Sequence, residues 1–128
     1  MRIGDTENFL LIECPSKEGI AFLKLEAGVF HNDQQFAATA WTCGSWDSGK
    51  RQNFGEFQDL KKAAFELPLA AGGWLRLDRD HRGWVAVSYR ITGPRAPAKT
   101  AMEGEIWIEG EFAGEFCGEL RALLDAAS

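Results

Sequence analysis

From Gly73 to Phe112 apolar and polar residues alternate in a sharply two-sided pattern. Leu75, Leu77, Val85, Val87, Tyr89, Ile91, Met102, Ile106, Ile108 and Phe112 fall on one side. Trp74, Arg76, Trp84, Ser88, Arg90, Glu103, Glu105, Trp107, Glu109 and Glu111 fall on the other. A strand turns successive side chains to opposite faces, so the pattern predicts three antiparallel strands. Their aliphatic face is buried, and the opposite face carries charges and tryptophans. Arg79 to Gly83 reads as a short hairpin turn, and Gly93 to Thr100 as a longer, mobile connection.

The remaining segments complete the order. Asn8 to Cys14 reads as a strand stopped by Pro15, followed by a Pro15–Gly19 turn. Ile20 to Phe30 resumes as a half-buried strand in which Phe22, Lys24 and Glu26 alternate with Ala21, Leu23 and Leu25. After a turn at His31-Asn32-Asp33, Gln35 to Thr42 makes a third strand. Cys43 to Asn53 reads as a polar loop centred on Trp46. Asn53 with Glu56 resembles a capping box. Phe57, Leu60, Ala64 and Leu67 then follow at helical spacing, opposite Asp59, Lys61 and Lys62, up to Pro68. A last helix, from about Gly114, carries Phe116, Leu120, Leu123 and Leu124 on one face. The fold class is α+β: antiparallel sheets in the order β-β-β-α-β-β-β-α, with two amphipathic helices. Each half has three strands and a helix, without residue-level identity between halves.

Composition narrows the function classes. The 128 residues suit one domain spanning 1–128, and 45% hydrophobic with 26% charged residues is ordinary for a globular chain. A net charge of −5 argues against a nucleic-acid partner, which needs a basic stripe. Phe9-Leu10-Leu11-Ile12 is too short for a signal core or a membrane span. Cys14, Cys43 and Cys117 are odd in number and lack metal spacing, so they read as small buried hydrophobes in a reducing compartment. The chain is read as cytoplasmic.

Catalytic signals are weak. His31 and His81 are the only histidines, both in turns, and Cys43 has no base in its neighbourhood of sequence. Ser45 and Ser48 lack a nucleophile-elbow pattern. Glu103, Glu105, Glu109 and Glu111 on alternate strand positions stand about 7 Å apart, a spacing compatible with an acid pair or a cation site. Ordinary cross-strand pairing with Arg76 and Arg90 accounts for them more simply. The chain is read as a non-enzyme, with no cofactor and no metal.

Trp74, Trp84 and Trp107 are less easily absorbed, because several tryptophans on a solvated face are unusual and interfaces are rich in them. Either another layer covers that face, or it stays open as a docking surface. Trp46, among polar and small neighbours, is a separate exposed anchor. Two further readings stay open: a small-ligand pocket lined by Tyr89, Phe57 and Phe116, and a homodimer formed through the tryptophan face.

The Cys43-Gly44-Ser45-Trp46 loop, the Phe54-x-x-Phe57-x-x-Leu60 helix, three strands and the final Phe116-x-x-x-Leu120-x-x-Leu123-Leu124 helix carry a resemblance. This succession, over roughly residues 34–125, resembles small bacterial immunity proteins of polymorphic toxin systems. The wall-associated-protein immunity type is one of them. Where such families carry an acidic-Pro-Asn segment, this chain has Leu69-Ala70-Ala71-Gly72-Gly73. The resemblance implies a protein that neutralises a toxin by binding it, and an acidic surface suits a basic partner. The expected binding residues are Trp46, Trp74, Arg76, Trp84, Arg90, Glu105, Trp107 and Glu109.

Overall fold

The computed structural model describes residues 1–14, 23–92 and 101–126. The Pro15–Gly19 turn, the beginning of the strand expected from Ile20, and the Gly93–Thr100 connection lie outside the described residues. The first sheet is β1 (Arg2–Gly4), β2 (Asn8–Glu13), β3 (Lys24–His31) and β4 (Gln34–Trp41), each antiparallel to its chain neighbour. Helix α1 (Ser48–Gln58) leads to the second sheet: β5 (Ala64–Pro68), β6 (Trp74–Arg79), β7 (Val85–Thr92) and β8 (Ala101–Ile108). These strands are also antiparallel in chain order, with a single 3₁₀ turn at Ala70–Gly72, and helix α2 (Gly110–Ala126) closes the chain.

The class is α+β with antiparallel sheets and two helices. Each half opens with one strand more than the hydropathy pattern shows, β1 and β5. Strand β1 is three residues long and shows no periodicity to read. Strand β5 takes residues expected in the first helix. Its alternation buries Phe65 and Leu67 and exposes Ala64, Glu66 and Pro68.

The first helix ends early because Leu60 adopts a left-handed backbone (φ 64°). The Lys61 N–H then bonds to Glu56 O and the Leu60 N–H to Phe57 O, which is the Schellman arrangement. A glycine is usual at that position, so a leucine gives no stop signal. The helix also starts early, within the expected Cys43–Asn53 loop. Its N-cap is Asp47, whose carboxylate accepts the Lys50 N–H at 2.9 Å, and not Asn53. Asn53 lies inside the helix and accepts from Lys62 Nζ.

Register sorts the side chains of both sheets. Ile3, Leu10 and Ala27 form one inward row of the first sheet, and Ile12, Leu25 and Ala40 the next. In the second sheet the inward rows are Phe65–Leu77–Val87–Ile106 and Leu67–Leu75–Tyr89–Gly104. These rows share one buried cluster with Phe54 and Phe57 of α1 and with Ala113, Phe116, Cys117, Leu120 and Leu124 of α2. The sheets are joined at two corners. Thr42 bridges to Leu69 and the Cys43 N–H bonds to Pro68 O; elsewhere Asn8 Nδ2 donates to Glu105 O at 3.4 Å.

Gly104 is required by this packing. A Cβ there would stand 2.3 Å from the hydroxyl of the fully buried Tyr89, whose ring lies across the glycine. That hydroxyl has no hydrogen-bond partner among the described residues, and burial pushes it above its usual pKa. Gly104→Ala is therefore expected to cost about 1–3 kcal/mol in chemical denaturation, because overpacking forces a buried ring to move. Tyr89→Phe is expected to stay within about 1 kcal/mol of wild type or to exceed it, since only an unpaired hydroxyl is lost. A Gly104→Ala protein as stable as wild type would show that the ring has room to shift.

Candidate functional site

The outward face of the second sheet is the site that the sequence pattern points to. It consists of the cross-strand rows Glu66–Arg76–Ser88–Glu105, Pro68–Trp74–Arg90–Glu103 and Ala64–Asp78–Ala86–Trp107. No layer of the described residues buries it. Trp74, Arg76 and Ser88 are half-buried, while Arg90, Glu103, Glu105 and Trp107 are exposed. Opposite charges stand directly across the strands, where they can meet. Arg76 Nη2 bonds Glu66 Oε1 at 2.9 Å with its guanidinium 4.5 Å over the Trp74 ring, and Arg90 Nη1 bonds Glu103 Oε1 at 3.0 Å.

Trp107 differs from Trp74 and Trp84, which are half-buried. It is 46% exposed, and its indole N–H is fixed to Glu105 Oε1 at 2.7 Å. Glu105 Oε2 in turn accepts from Ser88 Oγ at 3.5 Å. The ring is thus held in one orientation, and among the described residues it stays exposed. Ala86, directly opposite Trp107 and only 4% exposed, is the shallow floor of this part of the face.

Trp84 lies beyond the end of these rows. It is half-buried, with the Arg82 guanidinium 4.3 Å from its ring, beside Gly110 of α2. Asp80 organises that hairpin. Burial would raise its carboxyl, but the Arg82 side chain and the backbone N–H groups of Arg82 and Trp84 outweigh burial and hold its pKa low.

Several expected features are corrected. Glu109 is not on the strand: β8 ends at Ile108, and Glu109 precedes α2, its carbonyl accepting the Phe112 N–H. Glu111 lies in the first turn of that helix, where a carboxylate complements the helix dipole, and Phe112 is exposed rather than core. Trp46 is not an exposed anchor. It packs edge-on against Phe54 and Phe65 at 6.2 and 6.4 Å between centroids, and its indole N–H bonds Asp125 Oδ1 at 2.8 Å. Of the cysteines only Cys117 is buried; Cys14 is half-buried and Cys43 exposed.

A second concavity, missed in the sequence, lies between the end of α1, the β6–β7 hairpin and the first half of α2. This cleft of about 490 Å³ includes Gln58, Arg79, Asp80, His81, Ala113 and Cys117. Its polar groups are largely committed. Arg79 Nη1 donates to Phe57 O at 2.8 Å, with its guanidinium 4.2 Å over the Phe57 ring, and Asp80 is held by Arg82. Burial pushes the Cys117 thiol up, against the pull of Arg79, and so disfavours the thiolate a nucleophile needs. Phe57, Tyr89 and Phe116, expected to line a ligand pocket, are packed in the core. Among the described residues no group of His, Cys, Asp and Glu is placed to hold a metal ion, and no helix is long and apolar enough to cross a membrane. No family model, curated protein or solved structure matches the chain.

Trp46 ties the loop after β4 to the end of α2. The indole bond, followed by Arg121 and Arg51, holds the Asp125 carboxyl below its ordinary value of 3.8, against burial. The stability it contributes is therefore complete above that ordinary value and is lost as pH falls through the lowered one. Asp125→Asn is expected to make the acid limb of stability shallower, in urea denaturation at a series of pH values below about 4. Trp46→Phe should flatten the same limb and cost about 1 kcal/mol. An acid limb unchanged in both variants would show that the bond contributes nothing to the fold.

Proposed function

We propose that this chain acts by binding, using the open face of the second sheet to hold a basic protein. The observation that carries the reading is Trp107: a large aromatic surface, oriented in advance by Glu105, on an uncovered part of the sheet. Tryptophans of this kind anchor interfaces, and a ring already fixed loses little freedom on association. Charge indicates the kind of partner. The face bears Glu66, Asp78, Glu103 and Glu105 against Arg76 and Arg90, and both arginines are already paired with glutamates. The surplus is negative, in a chain of net charge −5. Such a surface steers a cationic partner towards it and disfavours an acidic one.

Neutralisation of a basic toxin, the role implied by the resemblance to immunity proteins, is one form of this activity. In that role binding occludes the toxin's functional surface, and no chemistry is required of Glu103 or Glu105.

The reading is tested with the wild-type chain and a Trp107→Ala, Glu105→Lys variant as baits in native lysate, followed by titration of each captured complex with salt. A basic protein is expected to be held by wild type and released at high ionic strength. The still-folded variant should lose it by at least about 30-fold, the scale of a hot-spot residue. Capture that is indifferent to both the substitutions and salt would rule the face out.

A further inference from the structure

The four sheet edges are not alike, and among the described residues one of them is unguarded. An edge strand exposes unpaired backbone groups that invite another strand, and proteins blunt such edges with charge, proline, brevity or cover. Strand β1 is three residues long and contains Arg2. Strand β5 carries Glu66 and Pro68, and α1 packs beside it. Strand β8 carries Glu103 and Glu105, and Asn8 reaches across to its Glu105 carbonyl.

Among the described residues strand β4 has none of these devices. Gln34-Gln35-Phe36-Ala37-Ala38-Thr39-Ala40-Trp41 lies in the longest uncharged stretch of the sequence. Most of its length is exposed. The turn before it places Asn32 and Asp33 both in the left-handed region, as a two-residue type I′ hairpin requires. In that geometry His31 and Gln34 exchange hydrogen bonds, so Gln34, Phe36, Ala38 and Ala40 face β3 with their N–H and C=O groups. Those of Gln35, Ala37 and Thr39 point outward, and among the described residues no backbone bond occupies them. Large apolar side chains flank this edge on both sides of the sheet. Phe36 (52% exposed) stands on one face; Phe30 and Trp41 (44% and 45%) stand on the other.

We infer that β4 pairs antiparallel with β4 of a second copy of this chain, making one continuous sheet across a two-fold axis. The occupant follows from charge. Two chains of net charge −5 repel at most contacts, but along this edge no charge faces another in any register. The same absence gives a basic partner nothing to recognise here. The segment is also self-complementary. With the axis at Ala37, Gln35 faces Thr39 of the second copy and Phe36 faces Ala38 of the second copy, polar against polar and large against small. The Trp107 face is elsewhere, so this inference stands or falls independently of the proposed function.

Sedimentation over about 1 μM to 1 mM, the range of weak to moderate association, tests the inference. The weight-average mass is expected to rise from 14.2 kDa towards twice that value. Ala37→Lys, an exposed substitution whose fold is checked by circular dichroism, places two like charges at the axis. It should weaken dimerisation by at least about tenfold. In wild type, amide exchange at Gln35, Ala37 and Thr39 should slow as concentration rises. A protein monomeric throughout the range overturns the inference. So does a dimer that tolerates Ala37→Lys or leaves those three amides unprotected.

Discussion

Thr42 stands where the two sheets meet, hydrogen-bonded to the first and bridged to the second, whose link is the Cys43 N–H on Pro68 O. Its hydroxyl accepts the Leu23 N–H at 3.1 Å, its own N–H donates to Leu23 O, and on its other side it bridges to Leu69. It is the buried polar side chain among the described residues, and a buried hydroxyl left unpaired costs about 1–3 kcal/mol. The end of β4 is therefore pinned between β3 and the segment after β5. With that corner fixed, the inward rows of both sheets face one shared core and are sealed by the apolar faces of the two helices. Neither sheet has to cover its own apolar side.

The same constraint leaves two outward faces of different character. On the first sheet Phe9 lies across Gly28, with the Arg2 guanidinium 4.3 Å from the ring, and Phe30 and Trp41 stand exposed nearer β4. On the second, ion pairs cross from strand to strand beside Trp74 and Trp107. Surface pairs such as Arg76–Glu66 and Arg90–Glu103 add little stability, because water and salt screen them. Their effect is positional. Arg76 is held over the Trp74 ring and Arg90 against Glu103, so the charge contrast of the face comes from Asp78 and Glu105, which pair with neither arginine.

What could be read from the sequence follows from how much each signal depends on neighbours. Alternation along β6, β7 and β8 assigned Leu75, Leu77, Val85, Val87, Tyr89 and Ile106 to the core correctly, because period two is a local property and burial on one face is its direct result. The charged, tryptophan-bearing side emerged by the same rule. The boundary of the first helix did not. Phe57, Leu60, Ala64 and Leu67 fit a helical stripe, yet Phe65 and Leu67 equally fit a strand, and only the left-handed Leu60 decides between them. Its conformation depends on tertiary packing, which a leucine does not announce. The alternation Glu105-Ile106-Trp107-Ile108-Glu109 ran past the true end of β8 for a similar reason, since nothing in Glu109 separates a strand residue from one preceding a helix. Trp46 appeared isolated because its partners Phe65 and Asp125 lie far along the chain.

Among the described residues every ladder joins strands that follow one another in sequence, and this shapes how the chain reaches its native state. Hairpins closed by short turns, such as β3–β4 and β6–β7, bring few residues together at a time and form on the microsecond scale. Each half can grow strand by strand without waiting for the other. The entropy of long closure is concentrated in the corners, Thr42 against Leu69 and, across most of the chain, Asn8 against Glu105. The contacts of greatest sequence separation are thus those that dock the two meanders on each other, the longest of them where Asn8 touches β8.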